Sequence, residues 1–174
     1  MGHVLGNGVV PQLVHQMWLD LDRAPLTIDY TMGTSELLDT VDDMVDVDHD
    51  AGLARLVVHV LDCNRYSLMH TAVVLSATAG VRDFVDGVPV FYSVAGTPFP
   101  LPVQHEQVSV TDTGATAVLI NVPIDEGELY LQAWGFPDAA AVARGEDGLV
   151  LIAEHAVARR AATTTWVTLR ANQD

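Results

Sequence analysis

The sequence predicts a mainly β protein: an antiparallel β-sandwich of seven or eight strands with a short helical N-terminal segment. Three observations predict it. From Arg55 onward, β-branched and other apolar residues come in short runs rather than at sustained helical spacing. Gly, Asp and Asn break those runs at the intervals typical of sandwich turns. With 174 residues, 49% of them apolar, the chain can bury one sizeable core, and two full domains would be cramped.

The first 52 residues read as an N-terminal extension and residues 53–170 as the sandwich. Pro11 suits a first helical turn, and Leu13, Val14, Met17, Trp18 and Leu21 then share a face opposite His15, Gln16 and Asp20, which predicts an amphipathic helix from Pro11 to Leu21. Leu26, Ile28, Tyr30 and Met32 alternate with polar residues, the period of a half-buried strand. After Thr34 and Ser35, the residues Leu37, Leu38, Val41, Met44 and Val45 repeat at helical spacing, although the run Val41 to Asp50 suits a loop equally well. Eight strands are then expected at Leu56–Asp62, His70–Thr78, Val88–Ala95, Val108–Thr111, Ala115–Val122, Leu129–Trp134, Leu149–Ala156 and Thr163–Leu169. Turns are marked by Asp62-Cys63-Asn64, Asp86-Gly87, Gly96-Thr97-Pro98, Asp112-Thr113-Gly114, Asp125-Glu126-Gly127 and Glu146-Asp147-Gly148. The alanine-rich connection from Gly135 to Gly145 suits one or two helical turns across an end of the sandwich.

Charge and cysteine content narrow the function classes. Eight arginines, no lysine and twenty-three acidic residues give a formal charge of −15, which argues against binding a nucleic acid backbone or an anionic membrane. A single cysteine, Cys63, rules out an intramolecular disulfide. The N-terminus lacks the charged and apolar regions of a secretory signal, Gly6 stands where a myristoylation motif needs Ser or Thr, and no apolar run approaches the roughly 20 residues that cross a bilayer. A cytoplasmic protein, or one carried in an assembly such as a virion, is the expectation.

Val88-Pro89-Val90, then Thr111-Asp112-Thr113-Gly114-Ala115-Thr116-Ala117, Asn121-Val122-Pro123 and Glu128-Leu129-Tyr130-Leu131-Gln132-Ala133 follow in an order that resembles the prealbumin-like fold of transthyretin-like and carboxypeptidase regulatory-like domains. Val60-Leu61-Asp62 to Leu68, with Ala72-Val73-Val74-Leu75, is similar to the opening strand pair of that pattern. The resemblance spans about Leu53 to Leu169, and its short turn motifs specify a fold better than an activity. Two catalytic relatives do not fit. Transthyretin-related hydrolases keep a His and Arg cluster and end in Tyr-Arg-Gly-Ser, where this chain ends Leu169-Arg170-Ala171-Asn172-Gln173-Asp174. Intradiol dioxygenases group two Tyr with two His, and Tyr30, Tyr66, Tyr92 and Tyr130 show no such grouping. Carboxypeptidase regulatory-like domains are folding or docking modules without chemistry of their own, and the resemblance implies that role here.

Each candidate site has a functional and a structural reading. Asp46, Asp48 and Asp50 alternate like the start of a calcium loop, but Gly52 comes one place late and Val57 stands where the bidentate Glu belongs, leaving a solvated acidic turn or a weak cation site. His59, Cys63 and His70 lack a fourth ligand and tight spacing for zinc, so a buried thiol and hydrogen-bonded histidines are the bland alternative. His105-Glu106 and Glu154-His155 are acid–base pairs with no evident pocket. Trp134, Phe136 and Trp166 either form an aromatic patch for a ligand such as a sugar or fill the core, the latter being the default for aromatics in strands. Phe99-Pro100-Leu101-Pro102-Val103 carries prolines at alternate positions, which disfavour a central strand and leave an extended apolar strip near the surface.

The sequence therefore predicts a non-catalytic structural or interaction subunit that docks into a larger assembly, a phage virion or tail or a multi-subunit complex. No cofactor is implied. Its partners are other protein subunits or its own copies, met through Leu13, Val14, Met17, Trp18 and Leu21 and through Phe99, Leu101 and Val103. The alternative is a small enzyme or metal-dependent binding protein using a histidine or acidic site, His59, His70 and His105 among its residues.

Overall fold

A computed structural model describes residues 2–6, 9–15, 42–43, 45–93, 100–104, 116–125 and 127–171. Ten strands lie among them: β1 Gly2–Gly6, β2 Val9–His15, β3 Ala54–Leu61, β4 Thr71–Ser76, β5 Val90–Ser93, β6 Pro100–Gln104, β7 Thr116–Val122, β8 Tyr130–Gly135, β9 Val150–Ala156 and β10 Thr164–Arg170. They form a seven-stranded sheet in the order β1-β2-β10-β3-β7-β5-β6 and a three-stranded sheet in the order β4-β8-β9. The protein is mainly β, as its turn-punctuated apolar runs predict. The alanine-rich connection holds a helix, Ala139–Ala143, capped by the Asp138 carboxylate on the Ala141 amide, and a 3-10 turn, Gly145–Gly148.

Both sheets turn apolar side chains into one core. Leu56, Val58 and Val60 of β3, Val90 and Tyr92 of β5, Leu119 of β7 and Val167 and Leu169 of β10 meet Val73 and Leu75 of β4, Leu131 and Ala133 of β8 and Ala153 of β9. Strand alternation sends the intervening residues of the large sheet to its other face, where Val57, Phe91, Val118, Ile120 and Trp166 pack with Val45 and Val47. Covering on both faces explains why β3 reads as an almost unbroken apolar run.

Two expectations are corrected. The chain is not antiparallel throughout, because β10 runs parallel to both β2 and β3. The helix expected from Pro11 to Leu21 does not form over its first part: residues 9–15 are strand β2, paired with β1 and β10. The valines at 9, 10 and 14 favour strand, and backbone pairing with β1 and β10 outweighs a helical period that only a few positions support. Pro11 sits where the β1–β2 register shifts and before pairing with β10 begins at Gln12, so its missing N–H interrupts neither ladder. Met17, Trp18 and Leu21 lie outside the described residues, as do Phe99, the strands expected at Leu26–Met32 and Val108–Thr111, and the Thr111–Gly114 turn. Of the second expected helix, Asp42, Asp43 and Val45 are described, and they are helical.

Val73 of β4 donates its amide to the Tyr92 hydroxyl at 3.0 Å, that hydroxyl lies 3.4 Å from the Val73 carbonyl, and the Val85 amide binds the Leu75 carbonyl at 2.9 Å. Edge β4 is thus sealed from inside. Burial pushes the Tyr92 hydroxyl up to about 12, the Val73 bond opposing it in part. Because the folded value lies above the ordinary 10, this contribution to stability is complete below pH 10 and is lost as pH rises towards 12, by about 1.4 kcal/mol per pH unit. Tyr92→Phe is expected to cost about 1–3 kcal/mol at neutral pH by stranding the Val73 amide, and to flatten that alkaline decline. Urea melts at pH 7 and pH 11 check both. Unchanged stability and an unchanged alkaline slope would mean the hydroxyl seals nothing.

Candidate functional site

Three places gather polar or exposed apolar groups. The first is a hollow of about 360 Å³ lined by Asp42, Asp43, Asp46, Val47, Asp48 and His49. It is held by a bulge. Ile120 and Asn121 of β7 both fall between the pairs Ala54–Val122 and Leu56–Leu119, and Asn121, at φ 59°, aims its amide outward. Its Oδ1 accepts from the Asp50 amide at 2.9 Å and its Nδ2 donates to the Asp48 carbonyl at 3.0 Å. Asn tolerates this left-handed backbone better than most residues. The Asp50 carboxylate closes a local turn onto the Gly52 amide at 2.7 Å. Among the described residues no three His, Cys, Asp or Glu side chains meet in a way that could hold a metal ion.

The second is the end of β3. His59 Nε2 lies 3.0 Å from Ser67 Oγ, and burial lowers the pKa of the imidazole from its ordinary value. Cys63 is half-buried, and Arg170 donates to its carbonyl. His70 does not join them, since it lines the third hollow, so the His59, Cys63 and His70 set is not brought together. Glu154 is committed elsewhere: its Oε2 accepts from the Gly80 amide at 2.6 Å and from Gln132 Nε2 at 2.7 Å. Trp134 donates its ring N–H to Gln132 Oε1 at 2.9 Å on the outer face of the small sheet. Trp166 packs on the far face of the large sheet and Phe136 lines the third hollow, so the three aromatics form no common patch.

The third place is the end of the small sheet beside the alanine helix. Leu68, Met69, His70, Thr71, Gly135, Phe136, Val142 and Ile152 line an apolar hollow of about 320 Å³. Each wall has a local cause. The Thr71 hydroxyl donates to the Leu68 carbonyl at 3.0 Å and fixes the 68–71 loop, with His70 at φ 58°. Gly135 leaves the floor open, for a Cβ there would come within 3.2 Å of Ile152 Cδ1 and 3.4 Å of Thr71 Cγ2. A bulge between Ala133 and Trp134 adds Ile152 to β9 and turns it core-side, against the main cluster, while Leu151 pairs Trp134 and Val150 pairs Gly135.

This end carries four of the seven exposed large apolar residues among those described: Met69 at 44%, Val142 at 56%, Val150 at 41% and Leu151 at 36%. Sequence reasoning missed them. The signal was there in Val150-Leu151-Ile152, three consecutive apolar residues at a strand start where alternation would put one in solvent. Of the expected docking residues, Leu13 and Val14 belong to β2 inside the large sheet, and Leu101 and Val103 belong to β6. β6 is an edge strand, the position its alternate prolines require.

Among the described residues no helix is long and apolar enough to cross a membrane. Comparison with protein-family models, with curated proteins and with solved structures gives no match to this chain.

Proposed function

We propose that this chain is a non-catalytic interaction subunit whose two sheets form a sandwich of the prealbumin type, a rigid scaffold that presents the end of the small sheet to another protein. One observation carries the reading: Met69 and Val142 stand exposed in the wall of one apolar hollow, and exposed Val150 and Leu151 begin the strand whose Ile152 is another of its walls. A contiguous apolar surface facing water is a cost that a folded monomer has no reason to keep, and such surfaces mark places where another molecule docks. The fold assignment rests on the shared core of the two sheets, on Val88-Pro89 leading into β5, on Val122-Pro123 closing β7 and on Tyr130-Leu131 opening β8. Larger assemblies such as virions or multi-subunit complexes are where a scaffold of this kind is used.

The competing enzyme reading rests on the His59–Ser67 contact. That contact lacks a carboxylate on the second ring nitrogen among the hydrogen bonds of His59, and a Ser–His pair without an orienting group makes a poor nucleophile.

The test is the size of the particle that contains the protein in the cells that make it. Wild type is expected to elute in a complex larger than its 18.7 kDa, and Val142→Asp/Leu151→Asp to elute as the free chain with an unchanged melting temperature. A wild-type protein that elutes free, or a double variant that stays in the complex, overturns the proposal.

A further inference from the structure

We propose that Asp86–Gly87 is a site of backbone modification in the folded protein, where the aspartyl link converts through a cyclic imide to an isoaspartyl link, while the chain's other Asp-Gly pair, Asp147–Gly148, is protected by its packing. The reaction needs only water. The backbone nitrogen of Gly87 attacks the side-chain carboxyl carbon of Asp86, and the carboxyl hydroxyl leaves with the amide proton as water. A glycine in second place favours this, because no Cβ shields the attacking nitrogen. Water then opens the imide at the side-chain carbonyl, which restores aspartate, or at the main-chain carbonyl, which routes the backbone through the side chain and frees the main-chain carboxylate. Mass and charge end unchanged.

Three features leave the first pair free to react. Asp86 and Gly87 are both exposed and form a turn outside every strand and helix. Among the described residues the Asp86 carboxylate has no hydrogen bond or ion pair, and the Gly87 amide has no acceptor. Gly87 sits at φ 76°, and a Cβ there would meet nothing within 4 Å. The flanks of the turn are pinned, since Val85 gives its amide to the Leu75 carbonyl at 2.9 Å and Val88 is buried in the main core. Isomerisation inserts one methylene between these anchors, about 1.5 Å of extra backbone. The open space over Gly87 lets that surplus bulge into solvent, so the flanks stay in place and the folded chain carries the altered link. Asp147–Gly148 lacks this freedom. Asp147 lies inside the 3-10 turn, whose Glu146 carbonyl accepts from the Leu149 amide at 3.2 Å, and Gly148 is buried with the Ala141 carbonyl where a Cβ would stand. Bringing the Gly148 nitrogen onto the Asp147 carboxyl carbon means rotating the backbone between them, which unwinds that turn.

The test holds the full chain folded in heavy-oxygen water at neutral pH, well below its melting temperature, and samples it over weeks. Each opening of an imide leaves one heavy oxygen at that residue, whichever product forms. Peptide mapping with electron-transfer fragmentation assigns the label to a site and separates aspartyl from isoaspartyl links. Asp86 is expected to take up label and to accumulate isoaspartate, and Asp147 to do so about tenfold more slowly, the rate effect of one hydrogen bond that must break first. In urea the two rates should converge, because neither pair is then restrained. Asp86→Glu, which would have to close a larger ring, should remove the signal at 86 and leave that at 147 unchanged. The aged chain should elute with the fresh one and accept a methyl group at residue 86 from S-adenosylmethionine and an isoaspartyl methyltransferase. Absence of label at Asp86 in folded protein that takes it up there in urea, equal labelling of the two pairs in the folded chain, or isoaspartate confined to aggregated chain each overturn the proposal.

Discussion

Replacing Arg55 by methionine is expected to destabilise the protein by about 3–5 kcal/mol, the usual effect of removing one partner from a buried ion pair. Arg55 lies on β3 and its guanidinium meets the Asp42 carboxylate, with side-chain exposures of only 4% and 11%. Taking away the cation removes the ion-pair partner of a carboxylate whose side chain is only 11% exposed, beside further acidic residues of the same hollow. The backbone consequence is local: Asp42 lies on the segment that carries Val45 and Val47 onto the outer face of the large sheet, and this cover should loosen first. Asp42→Leu/Arg55→Met removes both charges and should recover most of the loss, since the pair as a whole contributes little net stability while either half alone is costly. Urea denaturation of the two single variants and the double variant gives the cycle. A loss below about 1 kcal/mol for Arg55→Met would mean that the pair is solvated like a surface bridge.

Gly148→Ala should be comparably damaging for a different reason. A Cβ on Gly148 would lie 1.9 Å from the Ala141 carbonyl oxygen and 2.6 Å from its carbon, and both are backbone atoms that cannot rotate away. The 3-10 turn must then lift off the alanine helix. Overpacking of this kind costs about 1–3 kcal/mol, and more where backbone must move. The displacement would shift Val142, one residue from Ala141, and so deform the hollow it lines. Gly145, whose φ is 63° but whose added Cβ meets nothing within 4 Å, is the control: Gly145→Ala should show only the cost of a left-handed alanine, about 1–2 kcal/mol. Equal melting temperatures for Gly148→Ala and wild type would contradict the packing described.

Much of the strand layout was legible in the sequence because it is written locally. β3, β4, β7, β8, β9 and β10 fall within two residues of the expected boundaries, since each is an apolar run stopped by Asp, Asn, Gly or Pro, and turn chemistry acts over a few residues. The helix in the alanine-rich connection followed from composition in the same way. What the sequence hid is non-local. Residues 9–15 become a strand because β10, at the other end of the chain, offers a partner, and nothing within seven residues reports that. Parallel and antiparallel pairing leave nearly the same pattern in a strand covered on both faces, so the direction of β10 was not legible. The apolar hollow is assembled from the 68–71 loop, the end of β8, the alanine helix and β9. Each contributes residues that look like ordinary core, and only their shared exposure marks them as a site. His59 and Ser67 meet because the chain reverses after Asp62, whose Oδ1 accepts the Asn64 and Tyr66 amides at 2.8 Å; the turn was readable, the contact across it was not.

The central claim is that the exposed apolar hollow at the end of the small sheet is where another protein binds. Residue-resolved amide hydrogen exchange, compared between the isolated protein and the protein in its native complex, tests it most directly. Amides of the 68–71 loop, of the end of β8 and of the Ala139–Ala143 helix, which wall the hollow, should exchange more slowly in the complex than in the isolated protein. Equal exchange of those amides in both states would show that nothing covers the hollow, and would contradict the account.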